Sequence, residues 1–302
     1  MREYIKLDLS ICIVTYNACE HLRDCLRSIE QFPPVVAYEI LVIDNGSKDG
    51  TKAMLQGEYP RIRLIQNATN QGYTRPLNQA MQAAHGDVRL AINPDTLLTQ
   101  DMFNPMLAFM QAHPDVGVAI PKVLNRDGSF QKQCRRGEAR PVEVIGYFTG
   151  LYRLFPQNKK LGGYLQTWLP EDEIVEVKAV SGSCMFIRRE ALEQVGYFDK
   201  RFYAYQEDSD FCFQIRKLGW KVYYVPTTSI IHYGGEGGSG VKPFQGIFQW
   251  HRSYFLYYNK NLAKDYCFLF NWLFYGLMLG KFVWGMIVTI FRRRKVVGTP
   301  KP

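Results

Sequence analysis

Short apolar runs alternate with one-sided helical patterns over the first 120 residues of the chain. Residues 9–14 are an apolar, β-branched run that stops at Thr15, Tyr16 and Asn17, as a buried strand stops where the chain leaves a sheet. Leu22, Cys25, Leu26 and Ile29 follow at i, i+3, i+4 and i+7, the stripe of an amphipathic helix, and Pro33-Pro34 closes it. Residues 39–43 predict a second strand with a polar exit at Asp44-Asn45-Gly46-Ser47, and residues 62–65 predict a third. Asn70-Gln71-Gly72-Tyr73 leads into a helix ending near Gly86. Residues 89–96 predict a fourth strand whose apolar pattern breaks off in Asn93, Pro94 and Asp95. A helix over 102–112 and a strand over 116–120 complete the series. The alternation predicts an α/β fold of Rossmann type: a mostly parallel sheet with flanking helices, right-handed crossovers, and ligands at the carboxyl ends of the strands.

The rhythm then changes. Residues 125–176 mix Gly, Pro, aromatic and basic residues without a period and predict an inserted, substrate-shaping region. Regularity returns at 177–187, a helix starts near Arg189, and a second helix carries Glu207, Asp208 and Asp210 in its first turn. Residues 220–225 and 228–232 are strand-like and end at His232. Gly235-Glu236-Gly237-Gly238-Ser239-Gly240 spells a dinucleotide-binding pattern but lacks a βαβ unit around it, and is read as a glycine-rich lid.

With 302 residues and 47% hydrophobic content the chain has enough apolar surface for a packed core. The 37 basic and 28 acidic residues give a net charge of +9, suited to nucleotide diphosphates or anionic head groups. Nucleic-acid binding is not expected, because the basic residues are scattered without a recognised module. Seven cysteines show no C-x-x-C pair and no zinc spacing, which predicts a reducing compartment. The start of the chain runs almost at once into a strand, and no signal peptide is expected.

Thr15-Tyr16-Asn17, Asp44-Asn45-Gly46-Ser47, Asn70-Gln71-Gly72-Tyr73, Asn93-Pro94-Asp95, Gly182-Ser183, Glu207-Asp208 and His232 come in an order and spacing that resembles family 2 of the GT-A glycosyltransferases, in its bacterial rhamnosyltransferase-like branch. The likeness covers residues 8 to 260 or so. It implies a GT-A domain over 1–260, with a nucleotide-binding half at 1–124 and an acceptor and catalytic half at 125–260, followed by a tail at 261–302. It implies nucleotide and donor contacts from Thr15, Tyr16, Asn17, Asp44, Asn45, Asn70, Gly72, Arg75, Asn93 and Asp95, and a second shell of Gly182, Ser183 and Glu207. Asp44 either accepts the imide N–H of a pyrimidine or opens an Asx-turn. Arg75 either touches the diphosphate or is a solvated helix-start arginine.

The family's D-x-D metal motif stands here as Asn93-Pro94-Asp95, with one carboxylate missing. The resemblance still implies a divalent cation, Mg²⁺ or Mn²⁺, held by Asp95 and His232 with diphosphate and water, and it implies Asp208 as the base that deprotonates an acceptor hydroxyl. Glu207, Asp208 and Asp210 also suit a helix N-terminus, and His232 also suits a structural role. Lys132, Arg135, Arg136 and Arg140 either meet an anionic lipid-linked acceptor or form a solvated face. The implied reaction is inverting transfer of a sugar, rhamnose by subgroup, from a pyrimidine nucleotide diphosphate donor to a saccharide or polyprenyl-linked acceptor. A sugar-phosphate nucleotidyltransferase and a non-catalytic sugar-nucleotide binder are the alternatives, and the first should carry a glycine-rich loop where Thr15 to Cys19 has none.

Residues 267–291 are dense in Phe, Leu, Trp, Met and Val and precede Arg292-Arg293-Arg294-Lys295. As a helix of about 37 Å the tail is long enough to span a bilayer. Lys281 near its middle opposes that by about 2.5 to 3.5 kcal/mol. A monotopic helix on the cytoplasmic face of the inner membrane, basic end inward, reconciles the two, and a packing helix or dimer contact is the alternative.

Overall fold

The computed structural model describes residues 7–234 and 243–291. The chain runs β1 (Leu9–Thr15), α1 (Cys19–Gln31), β2 (Tyr38–Asp44), α2 (Thr51–Glu58), β3 (Arg63–Gln66), α3 (Thr74–Ala83), β4 (Val88–Ile92), β5 (Thr96–Leu98), α4 (Phe103–Ala112) and β6 (Val116–Leu124). It continues through β7 (Arg135–Arg136), α5 (Pro141–Thr149), α6 (Leu151–Leu154), β8 (Val175–Glu176), β9 (Ala179–Val180), β10 (Cys184–Arg188), α7 (Arg189–Val195), α8 (Glu207–Lys217), β11 (Lys221–His232), α9 (Pro243–Asn261) and α10 (Phe268–Phe291).

The central sheet has the order β3-β2-β1-β4-β10-β6-β11-β5, a GT-A arrangement. β3, β2, β1 and β4 are parallel, as the alternation predicts, and the order reverses between β1 and β4. That reversal opens a crevice at the carboxyl ends of the two strands. β1 is buried along its whole length, and Leu22, Cys25, Leu26 and Ile29 of α1 are all buried against the sheet. Each such side chain contributes about 1.5 to 3 kcal/mol of transfer free energy.

β10 inserts antiparallel between β4 and β6, with Cys184 opposite Ile92. Its first residues therefore lie beside the end of β4. The two strand-like runs at 220–232 are one strand, β11, with an irregular register between Val225 and Ser229 where Pro226 lacks an N–H. β11 carries its end to β5, pairing His232 with Thr96. The helix α2 escapes the apolar pattern because only Met54 and Leu55 give it a hydrophobic face. The irregular 125–176 region contains α5 and α6, and its aromatic residues form a second core with α9 and α10: Tyr147, Tyr164, Phe202, Tyr254, Tyr257, Tyr258 and Phe274.

The cysteines at 12, 19, 25, 134, 184 and 212 are buried thiols, and Cys267 is exposed and free. The basic cluster read from the sequence needs correction. Arg135 is buried, donating to the carbonyls of Pro170 and Leu169 and lying over the rings of Tyr224 and Phe130. Arg136 is buried against Asp208, and Arg140 pairs with Glu138 and Asp265. Neither a solvated face nor a lipid-facing patch describes these three arginines, because opposite charges, carbonyls and aromatic rings within the fold engage them.

α10 is apolar on the outside. Its inward stripe carries Asn271, Tyr275, Lys281 and Thr289, each satisfied within the protein. Asn271 donates to the carbonyl of Ala263, Tyr275 to Asn259, Lys281 to His251, and Thr289 to the carbonyl of Gly285. The Lys281 ammonium also sits 3.8 Å from the ring centre of Phe148 and 4.2 Å from that of Trp250. The outward stripe exposes Leu269, Trp272, Leu273, Leu277, Val283, Trp284, Ile290 and Phe291. The helix is long and apolar enough to cross a membrane. It runs back along α9, with Tyr258 against Phe274, Phe255 against Tyr275 and Phe248 against Phe282. The glycine-rich lid at 235–240 and the basic end at 292–295 lie outside the described residues.

Candidate active site

The carboxyl edge of the sheet gathers most of the motif residues. Thr15 ends β1 directly opposite Asp44 at the end of β2. Asn17, at φ +49°, accepts the Lys48 N–H and gives its own N–H to Ser47, so the two exits are laced together. Tyr16 is half-buried beside them. Asp44 takes the Ser47 N–H, three residues on, at 3.0 Å on Oδ1, which braces the β2 exit loop. Asn45 is a hub. Its amide nitrogen donates to Asn70 Oδ1 and the Gly72 carbonyl, and its oxygen accepts from Asn67 and the Gln71 N–H. It is buried and engaged at both ends, so it shapes the donor loop from within.

Gly72 must be glycine. Its φ is +85°, and a Cβ there would lie 2.4 Å from the carbonyl oxygen of Tyr203. The same carbonyl accepts the Tyr73 N–H at 2.7 Å, and the Tyr203 hydroxyl reaches Asn70 at 3.1 Å. Arg75 is exposed in the first turn of α3.

The pairing of β5 with β11 brings Asp95 to His232, with Oδ1 and Nε2 3.3 Å apart. Asn93 approaches the same Nε2 at 3.2 Å. Burial pushes the Asp95 carboxyl up, but the hydrogen bond and charge of His232 outweigh it and hold the group below its ordinary value. His21 adds a smaller lowering contribution; it lies against Tyr233, over which Arg126 is stacked 5.5 Å from the ring centre. His21 and Tyr233 belong to no motif, and only the fold shows them near Asp95, whose carbonyl accepts the Tyr233 N–H.

The donor set suits a hard divalent cation. Carboxylate oxygen and imidazole nitrogen are ligands for Mn²⁺ and Mg²⁺, and adjacent donors on an ion with bonds of about 2.1 Å lie about 3 Å apart. Among the described residues no third His, Cys, Asp or Glu joins them.

A short loop links this pair to the acidic helix. The Asn93 N–H donates to the Ser183 carbonyl at 3.0 Å, and the Gly182 N–H donates to Asp208 Oδ2 at 3.0 Å. Tyr73 reaches the Gly182 carbonyl at 3.4 Å. Its phenol is held well above its ordinary value, by burial first and then by the nearby carboxyl groups of Glu207, Asp208 and Asp95.

The three acids of the first α8 turn differ in role. Asp210 ties α8 to α9 through Lys260 at 2.7 Å and Asn261 at 2.8 Å. Asp208 Oδ2 takes Arg136 at 2.5 Å, while Oδ1 takes the Ser209 N–H at 2.6 Å and the Ser209 hydroxyl at 3.3 Å. Burial alone would lower the Arg136 guanidinium, but the Asp208 carboxylate and the Tyr164 hydroxyl together more than offset it. Glu207 is pushed up from 4.5 to about 8, by burial first and by the Asp208 charge second. Both causes favour its protonated form, and its Oε2 has no hydrogen-bond partner among the described residues.

A raised value in the fold means that the folded chain keeps this proton between pH 4.5 and about 8 while the unfolded chain releases it, so stability falls as pH rises through that window. Glu207→Gln is expected to remove that fall. The variant should gain on wild type in urea midpoint as pH rises from about 5 to about 8.5. Parallel pH profiles would show that Glu207 is ionised in the fold.

Residues 10–196 match the profile of glycosyl transferase family 2. The chain is 29% identical over 264 residues to an N-acetylglucosaminyl-diphospho-decaprenol L-rhamnosyltransferase of Mycobacterium tuberculosis, covering 82% of this chain and 83% of that one. It is 24% identical over 229 residues to a low-salt glycan biosynthesis hexosyltransferase, Agl10, of Haloferax volcanii, covering 74% of this chain and 67% of that one. In fold it is similar to a mannosyltransferase of Pyrobaculum calidifontis solved with GDP-Man and Mn²⁺, at a TM-score of 0.56 and 18% identity, covering 82% of this chain and 63% of that one. It is similar also to S. aureus TarS 1-349 in complex with UDP, at 0.53 and 17%, covering 82% and 64%.

Proposed function

The chain belongs to glycosyl transferase family 2, and from that premise we propose that it is an inverting glycosyltransferase. It moves a sugar, rhamnose in our reading, from a pyrimidine nucleotide diphosphate to a hydroxyl of a polyprenyl-diphosphate-linked saccharide. The supporting observation is the loop at 181–183, in which the Ser183 carbonyl accepts the Asn93 N–H and the Gly182 N–H donates to Asp208, so that one short segment joins the residues read here as leaving-group site and base. Family membership sets aside the nucleotidyltransferase alternative.

In this reading the 1–124 half holds the donor. Thr15, Tyr16, Asn17 and Asp44 line the nucleotide site, Asn45, Asn70 and Gly72 shape it, and Arg75 lies at its rim. Asp95 and His232 hold Mg²⁺ or Mn²⁺, which when bound neutralises charge on the departing diphosphate. In the 125–260 half, Asp208 takes the proton of the acceptor hydroxyl. Of its four partners the Ser209 hydroxyl at 3.3 Å is the longest, and it is the one an acceptor hydroxyl displaces. Gly182 and Arg136 meanwhile keep the other oxygen in place, Ser183 holds the loop to Asn93, and neutral Glu207 avoids a second charge beside the base. Attack from the face opposite the diphosphate inverts the anomeric centre.

The test is a panel of pyrimidine nucleotide sugars, with and without Mn²⁺, scored by protection against thermal unfolding. Stabilisation by dTDP- or UDP-sugars and none by purine nucleotide sugars is expected. The reverse preference would refute the donor assignment.

In this reading the 261–302 tail keeps this chemistry at the cytoplasmic face of the inner membrane. α10 turns its few polar residues inward together with Phe274 and Phe282 and leaves a broad apolar stripe exposed, unlike a soluble core helix, and it lies along α9 with Lys281 caged by Phe148 and Trp250. Crossing the bilayer would tear Lys281 from that cage, so the helix lies in the interface. Trp272→Glu with Trp284→Glu alters only the exposed stripe. It is expected to release the protein from anionic vesicles without lowering its melting temperature, and unchanged sedimentation with vesicles would refute the membrane reading.

A further inference from the structure

We propose that Gln131 is a positioning residue for the cation site, its side-chain carbonyl holding His232 in the tautomer that turns the free electron pair of Nε2 toward Asp95. The inference rests on the reading of Asp95 and His232 as cation ligands. It follows from which atoms are able to donate.

Gln131 lies between β6 and β7, anchored by its N–H to the Val123 carbonyl at 2.9 Å. Its amide group has three neighbours: Asn125 Oδ1 at 3.1 Å, the His232 carbonyl at 3.2 Å, and His232 Nδ1 at 2.9 Å. A backbone carbonyl only accepts, so the end of the amide that faces it is the NH₂. Asn125 agrees, because its own NH₂ is directed to the Ser129 hydroxyl and the Phe130 carbonyl, leaving its oxygen for Gln131. The other end of the Gln131 amide, Oε1, therefore faces Nδ1. An oxygen cannot donate, so Nδ1 carries the hydrogen.

In the neutral imidazole Nε2 then carries the lone pair, directed at Asn93 Nδ2 and Asp95 Oδ1. The Asn93 amide can donate to it, but the Asp95 carboxylate cannot. Two electron-rich atoms 3.3 Å apart repel unless a positive species lies between them: a second proton on the imidazole, which gives the hydrogen bond that lowers Asp95, or a cation that takes that proton's place. Without Gln131 the imidazole is free to move its hydrogen to Nε2 and bond Asp95 directly, tying up both ligands at once. Nothing in the sequence marks Gln131, which lies in the irregular region outside every motif.

The experiment measures Mn²⁺ affinity of the full chain by electron paramagnetic resonance of the free ion, with UDP and dTDP in parallel. Gln131→Leu is expected to bind Mn²⁺ about 10- to 100-fold more weakly than wild type. Gln131→Glu keeps an acceptor for the Nδ1 hydrogen and is expected to match or exceed wild type. The double variant Gln131→Leu with His232→Ala should bind no more weakly than His232→Ala alone, because Gln131 acts through the imidazole. Wild-type affinity in Gln131→Leu, or an additive loss in the double variant, overturns the proposal while leaving the two ligands in place. Should Gln131→Leu fail to fold, loss of Mn²⁺ binding by folded Gln131→Glu overturns it. A wild-type chain that binds no Mn²⁺ overturns both the proposal and the ligand reading beneath it.

Discussion

Asp208→Asn lowers turnover by about 10²- to 10⁴-fold and leaves donor affinity near that of wild type. The amide keeps the shape of the carboxylate, and its oxygen can still accept from Arg136 and the Gly182 N–H, the two bonds that hold the side chain in the cleft. It cannot take a proton from an acceptor hydroxyl. In the proposed reading donor contacts come from the exits of β1, β2 and β4, which the substitution leaves untouched, so the donor dissociation constant should stay within a few-fold of wild type. Asn leaves Arg136 without its counter-charge, so some loss of stability is expected as well, and turnover must be measured well below the melting temperature. Near-wild-type turnover would remove Asp208 from the role of base and turn attention to the neighbouring acid, Glu207.

His232→Ala and Asp95→Ala form the second large effect. A site with one carboxylate and one imidazole has no surplus of ligands, so losing either leaves the cation to a single protein atom, the diphosphate and water. Both variants should therefore lose metal-dependent activity to a similar extent, with the Mn²⁺ concentration for half-maximal activity rising at least about tenfold in each. The structure sharpens the expectation through the β5 and β11 register, which sets His232 opposite Thr96 and so beside Asp95, and through the lowered Asp95 carboxyl, whose downward shift comes chiefly from His232. A normal metal response in His232→Ala would leave Asp95 as the sole protein ligand.

What the sequence reveals and conceals follows from the range of the signal. The strands β1, β2 and β4 were legible because each is buried on both faces and reads as an unbroken apolar run ended by polar residues. Order and spacing of the motifs single out Asp95, Asp208 and His232 as candidates. Their surroundings were not legible, since Arg136, Ser209 and Gln131 act through contacts that link residues 72, 1 and 101 positions apart. The inserted position of β10, which delivers Gly182 and Ser183 to the cleft, is a matter of topology that no local period carries. Arg135, Arg136 and Arg140 looked like a surface charge run because charge pattern does not disclose burial. The tail read correctly as apolar, but the inward turn of Lys281 needed the aromatic partners on α5 and α9 to be seen.

The most direct measurement is nucleoside diphosphate release from a pyrimidine nucleotide sugar, with and without a lipid-linked saccharide acceptor, together with the anomeric configuration of the product. Release that depends on the acceptor, with a product of opposite configuration to the donor, is the predicted result. Release at the same rate without acceptor, or a product that retains the donor configuration, would contradict direct displacement with Asp208 as base.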